Sequence, residues 1–213
     1  METLRLPRRR AFSLVELLCV MMVMSLLAAT MVLPIRGTMD GYNITGAADM
    51  VDNNLLLARQ TAITRNIPVE VRFYKYDNGS GDCWRVMAVV IPSSISGNTS
   101  DEWITTSCVL PGNVVIEDSA DYSTVLSKAV PLTDKKVGPW TSQESVSAPR
   151  MLQKKSYVGF CFNPDGSTNL PKDQPWCLTL KDLHAKASAD GPATNYVSVV
   201  IDSATGRTRP FQP

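Results

Sequence analysis

Three sets of residues in this sequence have types and spacings suited to chemistry, and none of the three suits catalysis. The first is the cysteines: Cys19 lies inside a long apolar run, whereas Cys83, Cys108, Cys161 and Cys177 fall in mixed sequence. No C-x-x-C spacing occurs and His184 is the only histidine, so a structural zinc site is not expected. Four cysteines permit three disulfide pairings. Placement on strand candidates separated by one connection favours Cys83–Cys108 with Cys161–Cys177, and free buried thiols are the alternative. The second set is Arg207 and Arg209 in the G-R-T-R stretch near the C-terminus. Two arginines spaced i, i+2 project from one strand face and suit phosphate oxygens; on a plain turn-and-strand reading they are two solvated charges. The third is Glu16, a carboxylate set inside the apolar run. An acid within a membrane segment costs roughly 2.5–3.5 kcal/mol at mid-span and less near the ends, so it usually has a task.

Other signatures of chemistry are missing. The sequence has no G-x-x-x-x-G-K-[ST] phosphate loop, no nucleophile elbow, and no second histidine to complete a relay. An enzyme is therefore the least supported class, and no cofactor, metal or small-molecule substrate is implied.

The elements that position these residues are legible from charge and periodicity. The 213-residue chain carries a formal net charge of +1, which conceals an asymmetry. Residues 1–11 hold four Arg and one Glu, leaving 17 basic and 19 acidic residues, or −2, for the rest. Residues 12–33 read FSLVELLCVMMVMSLLAATMVL, with 18 of 22 apolar. At 1.5 Å per residue such a helix spans roughly 33 Å, enough to cross a bilayer core. Arg8, Arg9 and Arg10 hold its start in the cytoplasm, which puts the following chain outside. A cleaved secretory signal is the competing reading, but the run is long for one and no small-x-small site closes it.

Pro34 and the glycines of 36–46 predict a bend. Helical period returns over 47–65, with Ala47, Val51, Leu55, Ala58 and Ala62 on one stripe and Asp49, Asn53 and Gln60 opposite. The period then changes to two. Over 68–76, Val69, Val71 and Phe73 alternate with Glu70, Arg72 and Tyr74, as in a half-buried strand. Further strands are predicted at 83–91, 103–110, 114–117, 157–163, 176–180, 196–202 and 207–211. Residues 118–156, rich in Ser, Lys and Pro, read as a long loop. The expected fold class is α+β: a long N-terminal membrane-spanning helix followed by an antiparallel β-sheet domain.

RRRAFSLVELL resembles the prepilin leader and processing site of type IV pilins and type II secretion pseudopilins. In that family a basic leader is cut just before a Phe, the new N-terminus is methylated, and a Glu stands at the fifth mature position. The matching positions here are Phe12 and Glu16, with Ala11 where the family usually has Gly. LLLARQTAITRNIPVEVRFYKY, FNPDGST and the closing VVIDSATGRTRPFQP further resemble minor pseudopilins of the H type and minor pilins of the T and U types. Among these, the prepilin-type protein D of the Verru_Chthon cassette is the most similar. The resemblance covers roughly residues 8–76 and 157–213. It implies a leader at 1–11, a transmembrane and assembly helix at 12–35, a linker and second helical segment at 36–66, and a periplasmic β-rich pilin-like domain at 67–213.

The resemblance also implies partners. They are a prepilin peptidase acting at Ala11 and Phe12, other pseudopilins or pilins, and an inner-membrane assembly platform, with the chain a single-pass inner-membrane protein later drawn into a filament. Glu16 would pair with the α-amine of a neighbouring subunit, since an unpaired buried charge costs several kcal/mol. Minor pilins used in DNA uptake carry a similar G-R-x-R, which makes nucleic acid an alternative partner for Arg207 and Arg209. A single-pass membrane protein that is never processed is the remaining alternative.

Overall fold

The computed structural model describes residues 12–77, 81–105, 107–131, 137–144, 148–185 and 195–212, without the side chains of 30–40, 130 and 131. The chain divides into two compact units, one ending at Met39 and the other spanning Asp40–Pro213. The first element is helix α1 (Leu14–Arg65). The stretch 36–46, expected as a bend, is helical. Within the second unit the reason is packing. Ile44 and Ala47 are buried, and the Thr45 hydroxyl donates to the Gly41 carbonyl at 3.1 Å. Burial there outweighs the roughly 1 kcal/mol penalty of a helical glycine. Among the described residues no helix is long and apolar enough to cross a membrane. The apolar run of 12–33 is described with its side chains only as far as Ala29, so the expected span of 12–35 extends beyond that point.

α1 ends by a specific device. Asn66 takes a left-handed φ of 54°, and the Ile67 N–H reaches back to the Ala62 carbonyl at 3.2 Å. This is the Schellman closure, with Asn supplying the conformation that glycine usually supplies. The chain then enters β1 (Val69–Asp77) and turns into β2 (Asp82–Ile91). Next come α2 (Ser93–Ser96), β3 (Glu102–Trp103), β4 (Cys108–Val109), β5 (Val114–Ile116), α3 (Thr124–Ser127), β6 (Val130–Pro131) and β7 (Trp140–Gln143). The last four strands are β8 (Ser156–Phe162), β9 (Trp176–Asp182), β10 (Tyr196–Ile201) and β11 (Thr208–Phe211).

These strands form one sheet in the order β11-β10-β9-β5-β2-β1-β8-β7-β6, with β3 and β4 also paired to β2. Every pairing is antiparallel except β6 with β7. The α+β class with an antiparallel sheet is therefore as expected. Residues 118–156 are not the continuous loop that their composition suggested. They supply α3, β6 and β7, because Trp140, Val125 and Leu126 bury themselves within an otherwise polar stretch. The single strand expected over 103–110 is instead two short strands, both paired to β2.

The core lies between α1 and the sheet. Ile44, Ala47, Ala48, Val51, Leu55, Ala58 and Ala62 join the alternate strand residues Val71, Phe73, Val89, Phe160, Leu178 and Val199 in one apolar cluster. The small alanines let the helix approach the strands closely. Among the described residues, the sheet's outermost strands β11 and β6 each contain a proline. Because the Asp202 N–H bonds Arg207 O, the two-residue alternation of an antiparallel ladder puts Pro210 where an N–H would point away from β10. Proline there loses no internal bond and blocks strand addition at that edge.

Candidate functional site

The sequence-predicted residues fall in separate places. Cys83 lies opposite Tyr76 on β1, while Cys108 lies opposite Met87 on β2. Cys83 and Met87 are four residues apart on one strand, about 13 Å, beyond the roughly 4.4–6.8 Å that a disulfide spans between Cα atoms. Cys161 on β8 and Cys177 on β9 have β1, β2 and β5 between them. The expected pairings are thus corrected by register and sheet order: neither disulfide is formed. Burial pushes the Cys108 thiol up, opposed by the hydrogen bond from the Asn54 amide. His184 is exposed, and among the described residues no group of His, Cys, Asp and Glu could hold a metal ion.

Arg207 and Arg209 do share a surface. Both are exposed, and they line one cavity of about 310 Å³ with Val200, Asp202 and Thr205. The Thr205 hydroxyl and the Ala204 N–H hold the Asp202 carboxyl below the usual carboxylate range, with Arg209 adding to the effect. Two positive charges therefore face one retained negative charge.

The densest cluster of charges was not foreseen. Period-two alternation put Glu70 and Arg72 toward solvent, yet both are buried. The Arg72 guanidinium bonds Glu70 at 2.6 Å, Glu144 at 2.7 Å and Asp101 at 2.8 Å, and sits 4.7 Å from the centre of the Tyr157 ring. The Tyr74 hydroxyl donates to Glu144 at 2.6 Å. Burial works against the charge on Arg72, but Glu70, Tyr157 and Glu144 more than offset it, and its pKa is raised. Burial, followed by the Glu144 charge, pushes the Tyr74 phenol upward as well. Burial would raise Asp101; the Ser93 N–H and the Arg72 charge more than reverse it, and the group is lowered. A cleft of about 320 Å³ opens beside the cluster, lined by Arg72, Asp101, Glu144 and Tyr157 together with Ser93 and Ser142. No single segment signals this cluster, because its members come from β1, the end of β7 and the loop before β3.

At the N-terminal end, the local chemistry is that of a helix start. The Ser13 carbonyl accepts from the Leu17 N–H at 3.2 Å, and the Ser13 hydroxyl accepts from the Glu16 N–H at 3.2 Å. Ser13 is therefore the N-cap, and S-x-x-E is the spacing of a capping box. Glu16 also stands in the first turn, where the helix dipole favours negative charge. After it comes a run of exposed apolar side chains. Twelve large apolar residues from Phe12 to Leu27 are each at least 51% exposed. They cover every face of the helix, a pattern that belongs to a segment buried by something outside the chain. Ala11 lies outside the described residues.

Residues 6–32 match the family described as the Prokaryotic N-terminal methylation motif. The match supports a type IV pilin-like protein. No curated protein and no solved structure matches the chain. The motif implies processing by a prepilin peptidase and assembly with other pilins, and its family is structural rather than enzymatic. Phe12 and Glu16 fall inside the matched segment, as do Ser13 and most of the exposed apolar surface.

Proposed function

We propose that the chain is a minor pseudopilin. A prepilin peptidase cuts between Ala11 and Phe12 and methylates the new α-amine. The helix of 12–35 then resides in the inner membrane with the C-terminal unit in the periplasm. From there an assembly platform moves the processed chain into a short type II secretion-like or type IV pilus-like filament beside other pseudopilins. The H-type assignment rests on the motifs shared with H-, T- and U-type proteins, including the prepilin-type protein D of the Verru_Chthon cassette. One observation carries the reading: an apolar helix exposed on every side lies within the segment that matches the methylation motif. Lipid and then neighbouring helices are the surroundings that such a surface needs. Within that packing Glu16 pairs with the methylated amine of an adjacent subunit. Because a buried unpaired charge is strongly unfavourable, the pair acts mainly as a check on register.

Mass mapping of the N-terminus in membranes tests the proposal. A methylated Phe12 start is expected, and a chain beginning at Met1 would instead establish the unprocessed single-pass protein. Glu16→Ala should leave cleavage intact and lower incorporation into filaments; unchanged incorporation refutes the role of Glu16.

The cavity shared by Arg207 and Arg209 favours a second reading, a minor pilin that contacts DNA during uptake. With −2 on the processed chain, that binding would be weak and salt-sensitive. Arg207→Ala with Arg209→Ala should abolish duplex binding by the detergent-purified chain, and retained binding rejects this reading.

A further inference from the structure

Three segments far apart in sequence meet at one point on α1. The Arg59 Nε donates to the Gly166 carbonyl at 3.2 Å and to the Thr205 carbonyl at 2.9 Å. The two carbonyls belong to different turns, the N-P-D-G turn after β8 and the A-T-G turn between β10 and β11. Both turns use glycine in the left-handed region, Gly166 at φ 83° and Gly206 at φ 62°. The glycines are needed for space as well as for conformation. A Cβ on Gly206 would stand 2.1 Å from the Gly166 carbonyl oxygen, and one on Gly166 would meet Ile63 at 3.0 Å and Arg59 at 3.1 Å. The turns are thus pressed together backbone to backbone, and Thr168 N–H adds a bond to Ser203 O at 2.9 Å. Two residues beyond Gly206, the Thr208 hydroxyl donates to Asp52 on α1.

β11 has little else to hold it. Among the described residues it is a four-residue edge strand paired with β10 alone, and three of its residues are exposed. Few buried apolar contacts place such an element at the low end of local stability. The G-R-T-R stretch consequently divides by period two. Gly206 and Thr208 face the helix and the neighbouring turn, whereas Arg207 and Arg209 face the outer cavity.

We propose that Arg59 is a latch that docks the closing hairpin onto α1, so that losing it frees residues 202–212 while the rest of the sheet stays folded. The latch fixes where the outer arginines and the proline-guarded edge stand relative to the helix stripe of 47–62. It stands on contacts within the second unit, independently of any filament role.

Hydrogen exchange on the full chain in detergent micelles tests it. Arg59→Ala should raise exchange of amides in 202–212 by about tenfold or more, the scale of losing hydrogen bonds to a charged group, with β1 and β8 unchanged. Thr208→Val, which loses only the hydroxyl to Asp52, should move the same amides by a smaller factor. Unchanged exchange in 202–212 overturns the latch, and so does an equal rise in β1, since that would make Arg59 a general support of the fold. Should Arg59→Ala fail to fold, Arg59→Met, which keeps the unbranched stem and loses the Nε donor, decides by the same criterion.

Discussion

Two stretches of the one helix α1 carry their apolar side chains in opposite ways. From Leu14 to Leu27 the large apolar side chains point in every direction and stay exposed; from Ile44 to Ala62 a single stripe is buried and Asp49, Asn53 and Gln60 remain outside. The second stretch is built to fit its own chain, since four of its buried residues are alanines that admit the strands closely. The first is built of Leu, Met and Val at positions that no single sheet could cover. An amphipathic stripe therefore marks burial within the chain, and an apolar surface on all faces marks burial by something else.

The largest expected effect separates buried charge from exposed charge. Arg72→Ala strands Glu70 and Glu144 without their partner in the interior, and unfolding by denaturant should show a loss of about 3–5 kcal/mol. Glu16→Ala, in the exposed stretch, should leave the same unfolding curve in place. A comparable loss in both variants would break the contrast.

Apolar truncation sharpens the contrast next. Leu55→Ala removes a side chain that is 0% exposed and should cost about 2–5 kcal/mol. Leu18→Ala should leave that curve unchanged and reduce retention in the membrane fraction.

pH acts on the buried cluster through two groups of opposite sign. The Tyr74 phenol is raised above its ordinary value of 10.0 by burial and then by Glu144. Its contribution is complete below pH 10 and is lost as pH rises above it, so stability should fall in alkali. Tyr74→Phe should remove that dependence in a denaturation series across pH. Asp101 has the opposite sign. Its folded value is depressed below 3.8, so its contribution is complete above that value and disappears as acid carries the pH through the folded one.

The smallest effect belongs to the helix start. Ser13→Ala removes the hydroxyl that accepts from the Glu16 N–H and should weaken the first turn by about 1 kcal/mol. NMR amide shifts of residues 14–17 should register it while those of the sheet do not move.

Much of this was readable in advance, for identifiable reasons. The stripe of 47–62 and the alternation of Val69, Val71 and Phe73 depend only on the periods of helix and strand, and both face the core as expected. Two of the misreadings have identifiable causes. Residues 118–156 conceal β7 because one Trp140 anchors a strand whose other residues are Thr, Ser and Gln. Glu70 and Arg72 looked solvent-facing because alternation distinguishes one face from the other but does not reveal that both faces are covered. At the candidate site, the apolar run and Glu16 stood out by type and position. The capping role of Ser13 is equally legible in S-L-V-E, since that spacing sets a hydroxyl three residues ahead of a carboxylate at a helix start.

The sequence by itself determined the class of several segments: the basic start, the apolar run with its single acid, the helix stripe and most of the strands. Those properties follow from local chain geometry and side-chain polarity, which need no partner. Tertiary structure alone decided which distant residues meet. It separated the cysteines by sheet order, gathered three carboxylates around Arg72, and brought Gly166 and Gly206 together under Arg59. Contacts of that kind depend on strand order and register, and strand order is a property of the whole sheet rather than of any window of the chain.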